Sequence, residues 1–162
     1  MDALDCVDND KKTRATIERC EQVYADSDIG FFDAFTNLGS GEKQNRLREK
    51  DGRVIAPSDQ PVMYATAMLK LRRDNGGDDW VKRYLHLLRK CPAIKATDES
   101  TAIQQSLNWL VCASAAAGKD LSPVFADRWR MPVTKKQREI LATTNFQQDD
   151  FDPKVVIAKL TP

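Results

Sequence analysis

Over 97–118 the chain carries Ile103, Leu107, Leu110, Val111 and Ser114 at three- and four-residue steps. That spacing predicts one long α-helix with an apolar stripe, which the rest of the chain has to cover. The helix opens at Thr97-Asp98 and closes at Gly118, a residue suited to the left-handed position that ends helices. Its last turns, Ala113-Ser114-Ala115-Ala116-Ala117, are small enough for another element to pack closely.

The remaining segments repeat the same grammar. Over 11–24, Ile17, Cys20, Val23 and Tyr24 form a buried stripe behind a cap at Asp8 or Asp10. Ile29, Phe31, Phe32, Ala34, Phe35 and Leu38, closed by Gly39-Ser40-Gly41, read as a short buried helix. Residues 40–60 read as a long loop with a turn at Asp51-Gly52 and room for a small hairpin. Ser58-Asp59-Gln60-Pro61 then caps a helix with Val62, Ala65, Met68 and Leu69 on one face, stopped by Asn75-Gly76-Gly77. Asp78 and Asp79 start another, in which Trp80, Val81, Tyr84, Leu85 and Leu88 face one way, ending before Cys91-Pro92.

Two further starts are written in local chemistry. Ser122-Pro123 opens a helix toward Trp129, and Thr134 with Gln137 makes a capping box ahead of Ile140 and Leu141. After Asp152-Pro153 the tail fits a helix with a capped start, or a strand built on Val155, Val156 and Ile157. The expected fold is an all-α, orthogonally packed single domain over 1–162 with five to seven helices. Its core is expected to rest on Phe31, Phe35, Leu69, Trp80, Tyr84, Leu88, Leu107, Leu110, Val111, Phe125 and Trp129.

The bulk chemistry narrows function mainly by exclusion. With 25 Lys+Arg against 24 Asp+Glu the net charge is +1, which gives no global pull toward a polyanion, and nucleic acid is not expected as a partner. No apolar run approaches a membrane span and the N-terminus lacks the pattern of a signal peptide. The chain is expected to be soluble, with secretion as part of a larger precursor left open. Cys6, Cys20, Cys91 and Cys112 are too far apart for a C-x-x-C motif. Two local bridges, Cys6 to Cys20 and Cys91 to Cys112, and four reduced thiols are both compatible with that spacing. The single histidine, His86, rules out any zinc site that needs two imidazoles from this chain.

From 59 to 141 the order of features is more specific. Pro61-Val62-Met63-Tyr64-Ala65, Gly76-Gly77-Asp78-Asp79-Trp80, and Tyr84 with Leu88 come first. They are followed by Ala116-Ala117-Gly118-Lys119-Asp120-Leu121-Ser122-Pro123-Val124-Phe125 and Trp129-Arg130-Met131-Pro132-Val133-Thr134. This half of the chain resembles the helical C-terminal half of enhancin-like, mucin-directed zinc metallopeptidases of the gluzincin group, with their "GxxLxPFFxxWGxPVS" ending. Three positions depart from the pattern: Val124 replaces an aromatic, the interval from Phe125 to Trp129 is one residue longer, and Arg130 replaces a glycine.

The resemblance implies a non-catalytic domain with a structural or substrate-cleft role, and as partner an upstream catalytic domain of the same parent chain that carries H-E-x-x-H. It also places Asp33, in Asp33-Ala34-Phe35-Thr36-Asn37-Leu38, where that family has a ligand glutamate. A cap, ion-pair or surface carboxylate accounts for Asp33 more simply.

Other candidates are weighed in the same way. His86, between Leu85 and Leu87, reads as a half-exposed structural histidine. Lys70, Arg72 and Arg73, then Lys82, Arg83, Arg89 and Lys90, then Arg128, Arg130, Lys135, Lys136 and Arg138 are interleaved with Trp80, Tyr84 and Trp129. That pattern suits the alternative function, a helical interaction module binding a protein or polyanion. Solvated helix faces explain it with fewer assumptions. Asp8-Asn9-Asp10 resembles the start of a calcium loop, but Thr13 and Arg19 stand where glycine and glutamate are needed. An enzyme built on carboxylates alone would need two of Asp33, Glu42, Glu49, Asp51 and Asp59 to converge. No catalytic, cofactor-binding or metal-binding residue is assigned, and no cofactor is expected.

Overall fold

A computed structural model describes residues 60–95 and 97–161, together with positions 11, 14, 15, 18, 19, 22, 51 and 52; side chains are described from Ala67 onward in the long stretches. The fold is all-α, with six helical elements and no strand among the described residues. They are α1 (Gln60–Asp74), α2 (Gly77–Leu88), α3 (Glu99–Ala117), a π-helical turn (Pro123–Arg128), α4 (Lys135–Thr143) and α5 (Pro153–Leu160). None of the described helices is long and apolar enough to cross a membrane. The chain divides into two compact units, Met1–Asp78 and Asp79–Pro162.

In the first unit, Lys11, Arg14, Ala15, Glu18, Arg19 and Gln22 are helical and exposed, the positions opposite the stripe expected over 11–24. That stripe, the aromatic helix expected at 29–38 and the cap at Ser58-Asp59 lie outside the described residues. Asp51 and Gly52 do form a turn, with Gly52 at φ 83. Helix α1 presents Ala67, Leu71 and Arg72 as its buried positions, while Met68 and Leu69 are only half-buried. The expected face was therefore turned by about one residue, because an arginine occupies part of the interior.

Arg72 belongs inside because it has a fixed partner. Its Nε donates to Asp78 Oδ1 at 2.7 Å, across the turn at Gly76 and Gly77, at φ 109 and 66. Those angles favour residues without a Cβ, which explains why the chain stops α1 and restarts as α2 in so few residues. Asn75 reinforces the stop, its Nδ2 donating to Leu71 O at 2.8 Å.

The second unit is organised around α3. Asp98 accepts from Thr101 N at 2.8 Å while the Thr101 hydroxyl accepts from Asp98 N at 3.2 Å, a reciprocal capping box. Gly118, at φ 66, ends the helix in the left-handed conformation. From Ser106 to Ala116 every residue of α3 is buried, so the helix is covered on all sides rather than along one stripe. Trp80 of α2 closes one side, its Nε1 donating to Ala113 O at 3.2 Å while its ring stacks on Tyr84 with centroids 5.2 Å apart. Helix α5 closes another, contacting both α3 and α4.

The ends of α4 and α5 confirm what their caps announce. Thr134 and Gln137 make the second reciprocal box, and the buried Gln137 also donates Nε2 to Leu160 O at 2.8 Å. One amide thus starts α4 and satisfies a carbonyl at the end of α5. The tail is a helix: Asp152 accepts from Lys154 N at 3.0 Å with Pro153 in the first position. Burial of Val156, Ile157 and Leu160 along one side outweighs the strand preference of its β-branched residues.

The α3 cap gives a pH prediction. Hydrogen bonds from the Thr101 backbone and hydroxyl hold the Asp98 carboxyl below its ordinary value. A carboxylate with a depressed folded pKa contributes stability above its unfolded value, about 3.9, and loses it as pH falls through the folded value. Asp98→Asn keeps a neutral cap, so its thermal midpoint is expected to fall less than the wild-type midpoint between pH 5 and pH 2. Parallel midpoint-versus-pH curves would show that the cap does not titrate in this way.

Candidate functional site

The segment carrying the "GxxLxPFF…W" likeness follows α3 directly, and each of its positions has a physical task. Gly118 supplies the left-handed exit from α3, and a Cβ there would already touch Gln147 Cγ at 3.5 Å. Leu121 is buried and its backbone N–H donates to the Ser114 hydroxyl oxygen at 3.1 Å. Asp120 holds the next residue, accepting from Ser122 N at 2.8 Å and from its hydroxyl at 2.9 Å. Pro123 then begins the π turn, in which Trp129 N donates to Val124 O at 3.0 Å, five residues back.

Phe125 and Trp129, four apart, lie on one side of this turn, as residues at that spacing also do on an α-helix. Their ring centroids lie 5.0 Å apart, and Trp109 of α3 meets Phe125 edge-on at 5.0 Å and Trp129 in a stack at 6.2 Å. All three rings are buried, and this cluster is the centre of the unit.

Arg130 follows at φ 55, the one non-glycine residue with positive φ among the described residues. Its side chain is exposed while its neighbours Trp129 and Met131 are buried, so the left-handed residue turns the chain from one interior position to the next. An L-residue there carries roughly 1–2 kcal/mol of local strain. Arg130→Gly is expected to stabilise the protein by about 0.5–1 kcal/mol, after subtracting the larger entropy that glycine loses on folding. Urea denaturation measures it; a destabilised variant would mean that the arginine side chain holds the turn.

Among the described residues, those singled out for chemistry do not converge. His86 is exposed on α2, rather than half-exposed as expected. Asp51 is exposed in its turn, and Asp8, Asn9, Asp10, Asp33, Glu42, Glu49 and Asp59 lie outside the described residues. Among the described residues no three His, Cys, Asp or Glu side chains come close enough to hold a metal ion. The basic groups separate as well: Arg72 is buried on Asp78, Arg73 meets Asp74 at 3.1 Å, and Arg138 meets Asp127 at 2.6 Å. Lys82, Arg83, Arg89, Lys90, Lys135 and Lys136 are exposed.

The aromatics expected between those cations are interior. Trp80, Tyr84 and Trp129 are all buried and offer no face to a base or sugar ring. Leu85 and Val155 are the large apolar side chains exposed among the described residues, one on α2 and one on α5. Leu85 had been expected on the buried side of α2; Leu87 takes that place, and Leu88 is half-buried.

Two further features stand out, the second a geometry for the Cys91–Cys112 pairing that the sequence leaves open beside reduced thiols. One is a groove of about 560 Å³ between α4, α5 and the loop joining them, floored by Ile140, Phe151, Val155 and Val156 and rimmed by Thr143, Thr144, Asn145, Gln148, Asp150, Asp152 and Lys159. Its carboxylates, Asp150 and Asp152, are exposed, and Asp152 is committed to capping α5, so the groove offers hydrogen bonds and not an acid–base pair. The other is the approach of two thiols, Cys91 Sγ and Cys112 Sγ, to 3.5 Å. Cys6 and Cys20 lie outside the described residues.

Comparison with protein-family models, with curated proteins and with solved structures finds no match for this chain.

Proposed function

We propose that this chain is a non-catalytic helical module equivalent to the C-terminal part of an enhancin-like gluzincin metallopeptidase, acting as a structural wall beside the substrate cleft of a parent enzyme. The observation that carries this reading is where the motif residues sit. Gly118, Leu121, Phe125 and Trp129 are turn-forming or core residues, so the positions that bear the likeness specify a shape. Two departures from the family pattern are also absorbed physically. The extra residue before Trp129 fits the wider π turn, and the position where the family has glycine is the one with φ 55.

Among the described residues no side-chain set fits zinc. His86 is the chain's single imidazole and is exposed, and no acidic or thiol pair joins it among the described residues. No catalytic step is therefore assigned here, and the peptidase chemistry belongs to the upstream half that the resemblance implies. For the alternative, an interaction module that uses aromatic and basic residues together, the three aromatics interleaved with the cations, Trp80, Tyr84 and Trp129, are buried.

The test joins the gene to the protein. The reading frame of the parent is expected to encode H-E-x-x-H upstream, and the purified 162-residue chain to leave mucin intact and carry no stoichiometric zinc by elemental analysis. A parent without that motif would overturn the assignment. So would chelator-sensitive proteolysis by the chain alone.

A further inference from the structure

We infer that Cys91 and Cys112 are a dithiol pair that closes to an intramolecular disulfide by exchange with a small disulfide of the glutathione type. The two residues are 21 apart in sequence and their sulfurs are 3.5 Å apart, so a small side-chain adjustment brings them to bonding distance, about 2 Å. They sit on different elements. Cys91 lies in the turn just after α2, its N–H donating to Leu88 O at 3.0 Å, whereas Cys112 is inside α3 with no exposed surface. A bond between them would tie the exit of α2 to the central helix.

The unequal burial sets the order of events. Cys91 is half-buried and is the sulfur that a dissolved disulfide reaches. Its thiolate attacks glutathione disulfide, one glutathione leaves as a thiolate and takes up a proton, and a mixed disulfide remains on Cys91. Cys112 then loses its proton to solvent and attacks the Cys91 sulfur, expelling the second glutathione. The two protein thiols are oxidised by two electrons and one glutathione disulfide is reduced to two thiols.

The surroundings make the exchange slow at neutral pH and faster in base. Burial raises the Cys91 thiol, Asp152 raises it further, and the neighbouring Cys112 hydrogen bond and Lys154 lower it only in part. Burial, followed by the charge of Cys91, holds the Cys112 thiol far above the ordinary range. Rates of closure are therefore expected to rise about tenfold per pH unit while the attacking thiol is mostly protonated.

The experiment uses the full chain in glutathione mixtures of varied redox ratio, quenched in acid, alkylated and digested with trypsin. Cleavage after Lys90, Lys95 and Lys119 puts the two cysteines in separate peptides, 91–95 and 96–119. A linked pair of these peptides is expected in glutathione disulfide and is expected to vanish in excess glutathione. The oxidised protein should melt roughly 5–10 °C higher, through the restraint on the unfolded chain. Cys112→Ser should accumulate the mixed disulfide on Cys91. Glutathione left unresolved on wild-type Cys91, a link from Cys91 to Cys6 or Cys20, or two separately alkylated thiols after prolonged oxidation at pH 8.5 would each overturn the proposal. Because the peptides come from the wild-type chain, a variant that fails to fold leaves the test intact.

Discussion

Trp129→Ala is expected to destabilise the Asp79–Pro162 unit by about 3–5 kcal/mol, the range for removing a large buried ring. Trp129 has no exposed surface, and two of its contacts are aromatic, with Phe125 and Trp109. Such pairs add about 0.5–1.5 kcal/mol beyond area burial. Phe125 is already in contact with both indoles, 5.0 Å from each ring centroid. Urea denaturation followed by circular dichroism provides the measurement, with Phe125→Leu as a milder variant that should move in the same direction. A loss under about 0.5 kcal/mol, typical of a surface substitution, would remove the cluster from the centre of the unit.

Asp78→Ala is expected to cost about 2–3 kcal/mol, because it takes the carboxylate from a guanidinium that stays buried. The side chain of Arg72 is 4% exposed and that of Asp78 18% exposed, so water replaces the lost acceptor poorly. The double replacement Arg72→Met with Asp78→Ala separates the worth of the pair from the penalty of leaving a buried guanidinium short of one acceptor. It is expected to recover part of the loss, as buried ion pairs commonly do when both members become apolar. Equal stability of the single and double variants would show that Asp78 serves only as the start of α2.

Helix boundaries were legible wherever a side chain closes a hydrogen bond to nearby backbone. Asp98, Thr134 with Gln137, Asp152 with Pro153, and Gly118 act within a few residues of themselves, so their meaning survives without tertiary context. The faces of the helices were harder to read. On α1 the interior takes Ala67, Leu71 and Arg72, and on α2 it takes Leu87 while leaving Leu85 46% exposed. Those choices depend on what approaches each helix, and several apolar neighbours on one turn compete for the same contact. Seven of the named core residues, from Trp80 to Trp129, are buried because bulk and aromaticity mark them whatever the register.

The remainder was invisible for reasons of distance along the chain. Phe146 and Phe151 pair at 5.6 Å from a stretch with no helical period to flag them. The α4–α5 groove arises from two elements that look independent in sequence. The thiol pair joins the end of one helix to the middle of the next; its spacing allows a local bridge and reduced thiols alike, and only the fold brings the two sulfurs to 3.5 Å. Conversely, the interleaving of Lys and Arg with Trp80, Tyr84 and Trp129 suggested a binding face, but the fold carries those rings inward, Arg72 with them, while Lys82, Arg83, Arg89 and Lys90 face outward.

All three tryptophans of the chain, Trp80, Trp109 and Trp129, are buried in the Asp79–Pro162 unit. Indole emission excited at the red edge of absorption therefore reports on that unit and is silent about Met1–Asp78. A melt followed by this light and a melt followed by peptide-bond ellipticity sample different parts of the same molecule. Superimposable curves would mean that the two units lose their structure together, and an ellipticity change with the emission unmoved would be the optical signature of the first unit melting alone.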